Sequence, residues 1–170
     1  MMESLNRYID QVYFPFNAFS KEWALLTAGK SAADYNTMTI SWGGMGTLWG
    51  LPVATVYVKP CRYTHDFMEK YTHFTVSFFP EEYRGDLNLL GSRSGRDGDK
   101  VALTSLTPKV DEEDGFVSFE QAKAVLCCHR IYRQDMDLAA VPAAAAARHY
   151  QSDAPHTIYI GEVKKVLFHQ

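Results

Sequence analysis

The sequence lacks most of the devices that hold a small domain together from outside its core. It has three cysteines, an odd number, and none falls in a C-x-x-C pair, so neither a disulfide framework nor a zinc knuckle is indicated. Its six histidines are scattered at positions 65, 73, 129, 149, 156 and 169 without H-x-H or H-E-x-x-H spacing, which argues against a metal site. No apolar run approaches the roughly 18 residues of a membrane span, and the first twenty residues carry acidic and polar side chains throughout. There is no basic block to follow a nucleic-acid backbone: 17 Lys and Arg against 20 Asp and Glu give a formal charge of -3. These absences predict a cytoplasmic protein that uses neither nucleic acid nor membrane as a partner. A chain of 170 residues is one domain's worth and can bury a core without staples, so a single domain over residues 1–170 is expected.

What is present reads as short strands. Residues 22–27, EWALLT, form an apolar run ending at Ala28-Gly29-Lys30, which suits a buried strand and a turn. In residues 36–42, NTMTISW, Met38, Ile40 and Trp42 alternate with Thr37, Thr39 and Ser41, giving one apolar face and one lined with hydroxyls. Gly43-Gly44-Met45-Gly46 reads as a flexible loop and fails the G-x-G-x-x-G spacing of a dinucleotide turn. Further strands are expected over 52–59, 73–79, 115–119, 122–132 and 156–168, with helices over 63–71 and 81–90, a short one from about 99, and a connecting helix or helical loop over 139–148. The helix over 63–71 has Thr64 available as a cap. No β-α-β-α alternation appears, so the expected fold is mainly antiparallel β with helical insertions rather than a doubly wound sheet.

Adjacent strand residues point to opposite faces, so Cys127 and Cys128 should be unable to bridge each other, and core filling by reduced thiols is the simplest reading. Two segments could hold an anion. At Pro60-Cys61-Arg62-Tyr63-Thr64-His65 a strand gives way to a helix, bringing free backbone N–H groups, a hydroxyl and a guanidinium together. The same residues also allow Arg62 to pair with Asp66 while Thr64 caps the helix. The second segment, Gly91 to Lys100, packs glycines, hydroxyls and cations into ten positions, as either an anion cradle or a solvated loop.

Taken in order, these segments resemble a known family, the flavin reductase-like, FMN-binding split-barrel proteins. Asn36 to Trp42 is similar to the N-x-M-T-x-S-W strand of that family, and Cys61-Arg62-Tyr63-Thr64 to its R-Y-T or S-x-T turn. Ser77-Phe78-Phe79-Pro80 resembles its S-F-F-P segment, Gly91 to Lys100 its G-x-x-S-G-R-D-x-D-K loop, and His156 to Val163 its closing H-x-x-x-x-G-E-V strand. The likeness runs over residues 20–168. It implies an FMN-binding split antiparallel β-barrel with helical insertions, working as a homodimer.

On that resemblance, Arg62, Tyr63 and Thr64 would hold the FMN phosphate, with Ser92, Ser94, Gly95 and Lys100 completing the cradle. Asn36, Thr37, Met38, Thr39 and Ser41 would lie along the ring, with the hydroxyls at its polar edge, and Trp42, Ser77, Phe78 and Phe79 would border it. The implied activity is reduction of flavin by NADH or NADPH, the flavin carrying the redox chemistry. An electron carrier of the flavoredoxin kind, reduced by a partner protein, and a bare FMN-binding protein remain open, because no separate nicotinamide motif is present. Cys61 stands where a small residue such as Ser is expected, and Cys128-His129-Arg130 departs from the family's usual C-R.

Overall fold

Alternating apolar residues do build a sheet. The computed structural model describes residues 15–111, 113–151 and 154–168. Seven strands form one antiparallel sheet: β1 (Ala24–Ser31), β2 (Asp34–Ile40), β3 (Gly43–Leu48), β4 (Leu51–Val58), β5 (His73–Phe78), β8 (Ala124–Asp135) and β9 (Thr157–Phe168), in the spatial order β2-β1-β5-β8-β9-β4-β3. The edges are β2 and β3, although only residues 41–42 separate them in sequence. The sheet therefore curls until its two ends meet at an unpaired seam, which is a split barrel. β6 (Pro108–Val110) and β7 (Val117–Phe119) pair separately.

Strand alternation sorts the core into two layers. Leu26 and Ala28 of β1, Met38 and Ile40 of β2, Val56 and Val58 of β4, Phe74 and Val76 of β5, Cys128 and Tyr159 fill the barrel. Leu25, Val125 and Cys127 point outward and are covered by Leu87 and Leu90 of a helix and by Phe116 and Phe119. The two adjacent cysteines thus lie in different layers, as the alternation predicts. Burial pushes both thiols above their ordinary range, Cys127 to about 11, so neither is a ready nucleophile.

Among the described residues three α-helices of seven residues or more decorate the sheet, α1 (Tyr63–Lys70), α2 (Arg84–Ser92) and α3 (Ala143–His149), and a short helical stretch over 15–22 precedes β1. Among the described residues no helix is long and apolar enough to cross a membrane.

The expected turn at Ala28-Gly29-Lys30 is strand, because β1 runs on to Ser31 through a bulge at Gly29. There φ is +154° and a Cβ would come within 2.3 Å of Tyr35 Cβ, so glycine permits the close approach. Gly43 to Gly46 is not a loop but the start of β3, paired with Val56 to Val53 of β4. Gly43 is admitted because the Phe19 ring lies where its Cβ would be, 2.5 Å from the nearest ring carbon. Residues 139–148 split into a 3-10 turn at Leu138–Ala140 and α3, interrupted at Pro142, which cannot donate a helical hydrogen bond. Finally, Thr64 does not cap α1: Arg62 occupies the cap position, and the start of the helix receives no side-chain cap.

Candidate functional site

The strand-to-helix junction at Arg62 is held in shape before any side chain is considered. The Arg62 amide donates to the Lys59 carbonyl at 3.0 Å and the His65 amide to the Arg62 carbonyl at 2.9 Å. Among the described residues no acceptor meets the amides of Tyr63 and Thr64, so the positive end of α1 is open to an anion. Asp66, the alternative partner for Arg62, is taken by Arg96 at 2.9 Å. Arg96 also donates to the Cys61 carbonyl at 3.0 Å and lies over the Tyr63 ring, tying the second polar segment to the first. Arg62 is thereby free to donate to the Gly91 carbonyl at 2.7 Å.

The Gly91 to Lys100 segment is exposed along most of its length, yet it is internally ordered and buries Lys100. Ser94 accepts the Arg96 amide, capping a 3-10 turn at Gly95–Asp97. Asp99 accepts the amides of Val101 and Ala102 at the start of the next. Lys100 is turned inward, only 5 % exposed, and donates to the carbonyls of Leu90 at 2.8 Å and Arg93 at 3.0 Å. Burial, and then the charge of Arg62, pushes its ammonium down to about 8. An ammonium has three donors, and the two carbonyls use two.

Asn36 joins the cradle to the junction. Its amide donates to the Thr64 hydroxyl at 2.7 Å. A Cβ on Gly95 would fall 2.2 Å from Asn36 Oδ1, so this closure requires glycine.

Between these pieces lies a cavity of about 140 Å³. The structure brings Asn36, Met38, Arg62, Tyr63, Thr64, Ser92, Ser94, Gly95 and Lys100 to its wall, together with Cys61 and Arg93. Three cations and four hydroxyl-bearing side chains line it, and no carboxylate does. Whole small molecules occupy roughly 300–1,000 Å³. A cation-lined space well below that range suits one compact anionic group and not an extended ring.

The other sequence-proposed residues lie elsewhere. The Thr37 hydroxyl shares a 2.8 Å bond with Thr27 and donates to the Leu26 carbonyl, and that of Thr39 donates to the Leu87 carbonyl of α2. These hydroxyls pin β2 to its neighbours on the face opposite Asn36 and Met38. Ser77 is fully buried, and its hydroxyl has no partner among the described residues. Phe78 packs in the barrel against Phe19, and Phe79 in the outer layer against Tyr83 and Phe119. Ser41 and Trp42 lie at the barrel seam. Trp42, 45 % exposed, contacts the rings of His149 and His156 at 5.1 and 5.3 Å. His149, the last residue of α3, thus meets Trp42 at the seam. His156 is held neutral by burial and by nearby Lys59, which push it down to about 4, and it shares a 2.8 Å hydrogen bond with Tyr150.

Arg93, on the cavity wall, and Arg96, which ties the two segments together, are not singled out by the sequence. Their signal was present, since both lie inside the glycine- and hydroxyl-rich segment, but nothing in the spacing says which of its three cations turns inward.

Comparison with known proteins places this geometry in a family. Residues 16–170 match the family model described as the flavin reductase like domain, and the chain belongs to that family. Among solved structures, flavoredoxin from Methanosarcina acetivorans superposes with a TM-score of 0.68 at 15% identity, over 88% of this chain and 69% of that one. The FMN-binding protein from Thermus thermophilus with bound 1-cyclohex-2-enone gives 0.69 at 20%, over 92% and 75%. The styrene monooxygenase flavin reductase of Pseudomonas putida S12 gives 0.61 at 18%, over 86% and 79%. A comparison with curated proteins finds no match. The membership makes the chain a flavin-related oxidoreductase with the split-barrel fold.

Proposed function

We propose that this chain binds FMN with its phosphate in the cavity between α1 and the Gly91–Lys100 segment, and works as an NAD(P)H-dependent flavin reductase. The observation that carries the reading is the lining of that cavity: Arg62, Arg93 and Lys100 converge on a phosphoryl-sized space with no carboxylate to balance them. Like charges gathered around the buried Lys100 repel one another, and a dianionic phosphate relieves that cost as it binds. Solved structures of this fold include proteins described as FMN-binding and as flavin reductases, in keeping with this ligand and activity.

A flavin held there would supply the redox chemistry, with NADH or NADPH as the electron donor. The chain binds and orients it. Arg62 and Thr64 fix the phosphate at the helix start, Lys100 adds charge from the opposite wall, and Asn36 and Met38 carry the line of contact onto β2. The Thr37 and Thr39 hydroxyls are occupied by internal acceptors, so any donors that tune the ring belong to the strand backbone.

The same reading gives a cytoplasmic homodimer. In its support, Val166 and Phe168 are exposed beside Met45 along an apolar groove of about 400 Å³. Exposed apolar grooves of this kind mark association surfaces.

Steady-state oxidation of NADH and NADPH, followed at 340 nm in air with added FMN, tests the activity. Turnover that requires both protein and flavin is expected. FMN binding without turnover of either nicotinamide would replace the reductase with an electron carrier fed by a redox partner protein.

A further inference from the structure

A separate cavity, of about 590 Å³, lies at the other end of α2 from the cation-lined one. Arg84 opens the helix beside it, and Gly91, whose carbonyl meets Arg62, lies near the helix's close, about 10 Å further on at 1.5 Å per residue. The floor of this cavity is apolar, made by Phe79, Pro80 and Leu87, and its rim is charged. On the rim Lys123 and Glu22 pair at 2.6 Å and satisfy each other.

Arg84 is held differently. Its guanidinium lies 3.2 Å above the Trp23 ring, and its Nη1 donates to the Lys21 carbonyl and, at 3.1 Å, to the Glu22 carbonyl. Among the described residues its Nη2 and Nε meet no acceptor. Stacking from below and a clamp at one nitrogen leave the remaining N–H groups as a fixed fork on the cavity wall. The platform under that fork is strained. Trp23 has φ 66° and ψ 167°, a backbone region populated almost only by glycine, and strain of this kind collects at ligand clamps.

A pinned, half-satisfied fork above an apolar floor matches one class of ligand. A carboxylate accepts the two remaining N–H groups side by side, and an apolar chain attached to it covers the floor. Glu22 and Glu81 leave the wall with only one more cation than carboxylates, which suits a single negative charge and disfavours a dianion. The volume falls in the range of small-molecule sites. We propose that this cavity binds a monocarboxylate with an aliphatic chain, its carboxylate on the Arg84 fork and its chain over Phe79, Pro80 and Leu87. The assignment stands apart from the flavin reading and does not depend on it.

The test titrates the full chain, with and without saturating FMN, against octanoate, acetate, octylamine and octyl phosphate by calorimetry. Octanoate should bind at one site per chain, equally with and without FMN, and about tenfold or more tighter than acetate, which has no chain to bury. Octylamine and octyl phosphate should bind more weakly than octanoate. Arg84→Gln should cost about tenfold or more in octanoate affinity, and Arg84→Lys should recover part of it. Because Arg84 also holds two backbone carbonyls, Glu81→Gln at an exposed rim position is the second variant, and removing its charge should tighten octanoate severalfold. Failure of octanoate to bind, binding no tighter than octylamine, competition with FMN, or an affinity unmoved by both Arg84→Gln and Glu81→Gln overturns the assignment. Octyl phosphate binding more tightly than octanoate would give the cavity to a dianion and overturn it as well.

Discussion

Arg62→Ala should weaken FMN binding by about 10- to 100-fold and leave riboflavin binding unchanged. Hydrogen bonds to charged groups are each worth roughly 1.5–3 kcal/mol, and about 1.4 kcal/mol is a factor of ten in affinity. Riboflavin lacks the phosphate and should not sense the loss. Arg62 also holds the Gly91 carbonyl at 2.7 Å, so the substitution could loosen the cradle itself. Two controls separate these effects. A general loosening would lower riboflavin affinity too, and Arg62→Lys, which keeps the charge without the planar fork, should recover part of the FMN affinity. Equilibrium titration of both ligands against the three proteins reads the result, and equal losses for FMN and riboflavin would refute the placement of the phosphate.

The second large effect is on pH. Lys100 sheds its proton near 8 in the folded chain, against an ordinary value of 10.5, because it is buried and faces Arg62. A phosphate monoester is already close to dianionic above pH 7, its second pKa being about 6. Raising the pH through 8 therefore removes charge from the protein and not from the ligand. FMN affinity should fall by up to about tenfold per pH unit above 8, and riboflavin affinity should not follow. Lys100→Gln should bind FMN weakly with no such slope.

The same shift sets a stability trend of definite sign. Between about 8 and 10.5 the unfolded chain keeps a proton on Lys100 that the folded chain has lost. The unliganded protein should thus gain stability as pH rises across that window, and bound FMN should flatten the trend. Denaturant unfolding at a series of pH values, with and without FMN, measures both. A stability that falls over that window with Lys100 present, or a slope unchanged in Lys100→Gln, would count against a buried ammonium there.

Much of this architecture could be read from local pattern. The alternation of Met38 and Ile40 with Thr37 and Thr39 defines two faces of β2, and the two layers of the core follow them. The adjacent cysteines divide between those layers for the same reason. The two compact polar segments that hold Arg62, Thr64, Ser94, Gly95 and Lys100 were legible as well, and the fold brings them to one cavity.

What could not be read depends on contacts between distant segments. Nothing local says that the hydroxyls of Thr37 and Thr39 are consumed by the Leu26 and Leu87 carbonyls, so a polar row that looks like a ligand surface is an anchor. Nor does a glycine run announce an edge strand, because Gly43 is chosen by the position of Phe19, more than twenty residues upstream in sequence order of β3's end and outside any repeating pattern. Ser77, Phe78 and Phe79 match a family segment, yet their side chains go to the two core layers. The choice between Asp66 and Gly91 as partner of Arg62 likewise rests on Arg96, thirty residues from Asp66.

The central claim is that a cluster of three cations without a counter-charge is a phosphate seat. Titrating the purified wild-type chain with FMN and with riboflavin, and following the visible difference spectrum, addresses it directly. Saturable FMN binding, at least tenfold tighter than riboflavin at pH 7 and weakened by added inorganic phosphate, is the predicted result. Equal affinity for the two flavins, indifferent to phosphate, would contradict it.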